Sequence, residues 1–237
     1  MKSQLTHRAT RAATAVALAL AAACSDMATD PELDPSLAAA PRPIVEEFDG
    51  TAFAGWTADT HALGRGSVRS TNVSLGGGSA ALALSAEAYD GAEILTTTRY
   101  GVGAYEARMR TPVAPGSIAA FFLYQGVAGG NDEIDIEIFN DGTRRIMFTT
   151  WVGGRETNNV IRTLPFDPAA GLHDYRIEWS NKLVRFRVDG VVMQDYKHGI
   201  PRQAMFVMAN TWWPTWLTGP LPTAPRTFQI DRIRIGG

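Results

Sequence analysis

The stretch that most constrains this chain is Glu133-Ile134-Asp135-Ile136-Glu137-Ile138-Phe139. Acidic and apolar residues alternate here with a period of two, the period of a β-strand and of no helix. Such a strand turns Ile134, Ile136 and Ile138 into a core and sets Glu133, Asp135 and Glu137 together on the opposite face. Carboxylates crowded on one face raise one another's pKa, so the arrangement works against stability. A solvated sheet face is the plain reading of acidic alternation. Three carboxylates in a row, followed by a strand bearing Trp151, favour a reacting site instead.

The chemistry that uses such a set is cleavage of a glycosidic bond, where one carboxylate attacks the anomeric carbon and another protonates the leaving oxygen. In the retaining form of that reaction the two carboxyl groups sit about 5 Å apart. Residues i and i+4 of a strand have Cα atoms about 13 Å apart, so Glu133 and Glu137 must lean towards each other over a curved sheet. Two long Glu side chains around a short Asp suit that need. The Asp can hydrogen-bond a neighbouring carboxyl and separate the two titrations.

Glu133-Ile134-Asp135-Ile136-Glu137 resembles the signature of glycoside hydrolase family 16, in the uninterrupted form of its lichenase and xyloglucan-transglycosylase branches. The resemblance extends over about Phe48 to Ile235 and includes Tyr100-Gly101-Val102-Gly103-Ala104-Tyr105-Glu106. It implies a jelly roll of two curved sheets with the cleft on the concave face. It also implies roles: Glu133 the nucleophile, Asp135 the assisting carboxylate and Glu137 the acid/base.

The rest of the chain reads the same way. Short apolar or alternating runs recur from Val68 to Ile235, punctuated by Gly, Pro, Asn and Asp, with no long helical period; this predicts an all-β antiparallel sandwich. Val188-Asp189-Gly190-Val191 predicts a type I′ hairpin. Gly101-Val102-Gly103 leads into a strand, so it is no nucleotide-binding loop. The 22 Lys and Arg are scattered against 24 Asp and Glu, which leaves no basic patch for nucleic acid.

Ahead of the domain, Lys2, His7, Arg8 and Arg11 precede an apolar run from Ala12 to Ala23, the pattern of a secretory signal peptide over residues 1–23. That run is shorter than the roughly 20 residues a membrane span takes. Leu20-Ala21-Ala22-Ala23-Cys24-Ser25 resembles a bacterial lipoprotein box, with Cys24 lipidated; cleavage after Ala-x-Ala is the other reading. Residues 24–43, with Pro31, Pro35, Pro41 and Pro43, read as a flexible tether, and residues 44–237 as the catalytic domain. The expectation is an exported, monomeric protein on the outer membrane or cell surface, or else secreted or periplasmic.

A glycan cleft needs aromatic platforms and polar groups between them. Trp56 and Trp179 read as core, whereas Trp212, Trp213 and Trp216 read as a groove-lining cluster. By the resemblance, Asn210 and Trp212 match substrate contacts, Trp216 a further loop Trp, Phe122 a cleft aromatic and Glu93 a sugar-binding Glu. The Arg expected two residues after Glu93 is Leu95, and Thr149, Trp151 and Asn131 stand where lichenases show Asn, Tyr and Trp. Residues 57–69 are poor in the aromatic and Asn residues expected of distal subsites.

His7, His61, His173 and His198 show no metal-ligand spacing, and no Gly-x-Ser-x-Gly elbow is present. No cofactor is implied. A structural calcium on Asp231, with carbonyls from near Glu47 and Gly78, follows from the resemblance; a surface Asp on an amphipathic strand is the alternative. Asn72-Val73-Ser74 is a formal glycosylation sequon, taken as chance. The function expected is a retaining endo-glycosidase of a β-1,3-1,4-glucan or related β-glucan. A transglycosylase on the same scaffold and a noncatalytic glycan-binding lipoprotein are the alternatives.

Overall fold

A computed structural model describes residues 43–127 and 130–236; the signal, Cys24 and nearly all of the tether lie outside them. Within these residues two sheets face one another. One runs in the order Arg155–Thr163, Arg145–Val152, Glu133–Phe139, Ile118–Tyr124, Phe206–Trp212, Asp90–Thr96, Gly66–Val68 and His61–Leu63, with Trp56–Ala58 also pairing with Asp90–Thr96. The other runs Val191–Tyr196, Leu183–Val188, His173–Ser180, Gly103–Arg110, Arg226–Ile235, Ala80–Leu84 and Val73–Leu75, with Ile44–Glu46 on Arg226–Ile235. This is the expected jelly-roll sandwich. Its one departure from antiparallel pairing among the described strands is Gly66–Val68 beside Asp90–Thr96, which run parallel.

Period-two alternation is what builds the core. Ile134, Ile136 and Ile138 are fully buried, as are Phe121 and Leu123 on one neighbouring strand and Phe148 on the other. They meet Tyr175, Ile177, Phe186, Phe228 and Ile230 from the opposite sheet. Each such side chain contributes about 1.5–3 kcal/mol by leaving water. Two polar side chains of this layer are paired with backbone: Trp179 Nε1 donates to the Pro201 carbonyl at 2.9 Å, and Tyr196 Oη donates to the Phe148 carbonyl at 2.9 Å.

Local expectations fare unevenly. Asp189 and Gly190 both have positive φ, 47° and 77°, as a type I′ turn requires. Trp56 and Trp179 are core residues. The first of the recurring runs, Val68 to Leu75, is not continuous strand but is broken by a 3₁₀ turn at Ser70–Asn72.

Candidate active site

Strand pairing sets the site out in rows, because partners in register on one face of a sheet lie about 4.8 Å apart. Glu133 is flanked by Trp151 and Tyr124, Asp135 by Thr149 and Phe122, and Glu137 by Met147 and Ala120. The last row continues from Ala120 to Asn210 and from Asn210 to Glu93. Glu137, Ala120, Asn210 and Glu93 therefore form one line across four strands, with a methyl group where its neighbours carry long side chains.

These rows floor a cleft of about 620 Å³ on the outer face of the sheet. All nine residues expected to react or to bind substrate line it: Glu133, Asp135, Glu137, Glu93, Phe122, Trp151, Asn210, Trp212 and Trp216. Beneath it Ile118, Ala120, Phe122 and Met208 form a second apolar cluster, against which Leu95 packs. Leu95 thus belongs to the apolar floor and supplies no charge beside Glu93.

Burial dominates the electrostatics. Desolvation raises Glu133 to about 7, opposed by a hydrogen bond from Asp135 and assisted by the charge of Glu93. Desolvation also raises Glu137, to about 8, with the charge of Glu133 adding to it. Asp135 is pushed well above the usual carboxylate range by burial, by Glu133 and Glu137 on either side, and by its hydrogen bond to Glu133; the Trp151 side chain, donating to it, works the other way. Asp135 therefore holds its proton and donates it in a hydrogen bond to Glu133, the first of the two glutamates to ionise.

Glu93 is 3% exposed, yet both its oxygens are held: Asn210 Nδ2 donates to Oε2 at 2.9 Å and His61 Nε2 lies 3.0 Å from Oε1. Asn210 Oδ1 and Thr149 Oγ1 are buried with no protein partner among the described residues. Unpaired buried acceptors cost free energy unless a ligand satisfies them.

One expectation needs correcting. Trp213 does not line the groove. It is 0% exposed, packed edge-on against Tyr89 at 5.4 Å with the Arg65 guanidinium over its ring, because the chain turns it to the side opposite Trp212. Trp216 is 53% exposed and meets Phe139 edge-on at 5.9 Å, so it forms a platform at the rim. From the 57–69 segment, His61 and Leu63 line the cleft.

Residues given no role from sequence also position the site. Asp132 accepts from the backbone N–H groups of Gly153, Arg202 and Gln203, at 3.0, 2.9 and 3.2 Å, fixing the start of the catalytic strand to two loops. Asn131 Nδ2 donates to Tyr124 Oη at 2.6 Å and its Oδ1 accepts from Val127 N at 2.7 Å. Asn131 therefore braces a loop in place of the expected indole. Asp231 sits where the last strand shifts register, its Oδ2 3.3 Å from Arg108 Nε. With a guanidinium countering its charge, the Asp231 carboxylate is one half of an ion pair.

The class that fold and site define is a two-sheet jelly roll with a row of carboxylates along the floor of an aromatic cleft. The sequence profile of Glycosyl hydrolases family 16 matches residues 64–231, and the chain belongs to that family. It is 34% identical over 136 residues to the β-glucanase of Paenibacillus macerans, which is 55% of this chain and 57% of that protein. To the β-glucanase of Bacillus subtilis it is 33% identical over 150 residues, 61% of this chain and 62% of that protein. The matches thus span about three-fifths of these relatives' lengths. The Bacillus licheniformis β-glucanase structure superposes with a TM-score of 0.74 at 25% identity, covering 82% of this chain and 98% of that one. A laminarinase catalytic domain from Thermotoga petrophila shares the fold, with a TM-score of 0.68 at 20% identity over 81% of this chain and 95% of that one.

Proposed function

We propose that this protein is a retaining endo-β-glucanase acting on a β-1,3-1,4-glucan or a related β-glucan. The observation that carries the reading is the carboxylate row itself, with Glu133 at about 7 and Glu137 at about 8 on the floor of the cleft. The hydrogen bond from Asp135 favours the ionised form of Glu133, which serves as nucleophile, while Glu137, with no such bond, keeps its proton for the leaving oxygen. Family membership and the named β-glucanase relatives support the same chemistry.

In the first half-reaction Glu133 attacks the anomeric carbon while Glu137 gives its proton to the departing sugar oxygen, leaving a glycosyl-enzyme ester on Glu133. Glu137, now a carboxylate, takes a proton from water, which attacks the same carbon and returns Glu133 to its ionised form. Asp135 donates a hydrogen bond to Glu133 throughout. Ala120 leaves room for a sugar ring between Glu137 and the Asn210–Glu93 pair, and Trp151, Trp212 and Trp216 offer faces for stacking.

The test is reducing-sugar release from barley β-glucan, lichenan, laminarin, xyloglucan, agarose and carrageenan by the protein and by Glu133→Gln. Release from mixed-linkage glucans that the variant loses by about 10³-fold or more is the expected result. Equal turnover by the variant overturns the assignment, and binding without any turnover returns the glycan-binding alternative. On the same reading the protein is exported and anchored through Cys24, which radiolabelled palmitate incorporation and its loss in Cys24→Ala would check.

A further inference from the structure

His61 lies 32 residues before Glu93 and on a strand at the far edge of the sheet, but the fold puts the two in contact. Its Nε2 is 3.0 Å from Glu93 Oε1, and its Nδ1 is 3.0 Å from the Ala62 carbonyl oxygen. Both facing atoms are acceptors. A neutral imidazole has one N–H and one lone pair, so it can satisfy only one of them; an imidazolium satisfies both. We infer that His61 is a proton-bearing positioning residue, whose imidazolium holds the Glu93 carboxylate in place for sugar hydroxyls and makes substrate affinity depend on its protonation.

With both ring nitrogens engaged, His61 has no N–H left for a sugar and acts through Glu93. Each Glu93 oxygen accepts one protein hydrogen and keeps a second acceptor site, and Asn210 Oδ1 beside it is a third buried acceptor. That is a cluster suited to the donor hydroxyls of a sugar, with Asn210 one strand from Ala120 and two from Glu137. Among described residues Leu95 places no cation there, so the countercharge of this buried carboxylate comes from His61.

The charged groups around the ring agree with this. Partial burial disfavours the imidazolium, but the hydrogen bonds to Glu93 and Ala62 and the charges of Glu93 and Asp59 outweigh it, and the ring titrates above its ordinary value. Arg69, following the strand that pairs with His61, is turned to Asp90. The ring side chain is 41% exposed, so protons reach it from solvent. Since its pKa is raised, the hold on Glu93 is present at low pH and is lost as pH rises through the pKa of the folded protein.

The inference rests on the β-glucanase reading and is tested apart from it. NMR of the His61 ring across pH 5 to 9 is expected to show an imidazolium persisting above pH 6.5; a ring already neutral at pH 6 overturns the inference whether or not any glucan is cleaved. On the hydrolysed glucan, wild-type KM is expected to climb as the ring deprotonates. His61→Ala should raise KM about tenfold and flatten its pH dependence, with kcat little changed. His61→Gln, whose amide can donate to Glu93 without titrating, should restore most of the affinity and stay flat. A wild-type KM independent of pH, or a His61→Ala variant that keeps the wild-type pH dependence, overturns it. If no glucan is cleaved the proposed function fails, while the ring titration still decides the charge state.

Discussion

Removing the proton donor between the two glutamates should narrow the working pH range in a calculable way. With Glu133 at about 7 and Glu137 at about 8, the competent form, Glu133 ionised and Glu137 protonated, is about half of the molecules at pH 7. The hydrogen bond from Asp135 lowers Glu133. A hydrogen bond to a charged group is worth roughly 1.5–3 kcal/mol, or about one to two pKa units. Asp135→Ala should therefore lift Glu133 to about 8–9 and cut the competent fraction at pH 7 by about 5- to 50-fold. The assay is kcat/KM against pH on the preferred glucan. The acid limb is expected to move to higher pH while the alkaline limb stays, and Asp135→Asn, whose amide can still donate, should fall between. An acid limb that stays put, or moves to lower pH, would show that Asp135 acts as an anion and refute the reasoning.

The same burial should trade activity for stability. Glu137 is raised from 4.5 to about 8 on folding, so its contribution favours the fold below about pH 4.5 and is lost as pH rises to about 8. Glu137→Gln should match wild type in stability near pH 4 and exceed it above pH 8, by about 5 kcal/mol, as calorimetry would record. Trp213→Ala should cost about 3–5 kcal/mol in chemical denaturation, whereas Trp216→Ala should leave stability nearly unchanged and weaken glucan binding.

How much of this is legible in the chain depends on the range of the interaction that carries it. The catalytic strand is legible because its signal is local: alternation over seven residues fixes both the buried isoleucines and the outward carboxylates. Glu93, Asn210 and Trp212 are legible only through the family resemblance, and the register brings them to the same cleft. Trp213 was misread because consecutive residues at a strand end take opposite sides, and composition cannot tell which indole turns inward. His61 and Asp132 were passed over because their partners are distant in sequence, Glu93 for one and Arg202 for the other. Only strand pairing and loop return create those contacts.

Core and chemistry are the two sides of the same seven residues. Shifting the strand by a single position would send the acids inward and the isoleucines into water. An insertion within the segment must therefore be absorbed by a bulge that restores the alternation, and a change at Ile136 registers at Asp135 and Glu137 as well as in the core. Among the described residues, loops such as the one carrying Trp216 are under no such tie. New ligand preferences have room to arise there, at the rim, while the carboxylate row is held still by the fold beneath it.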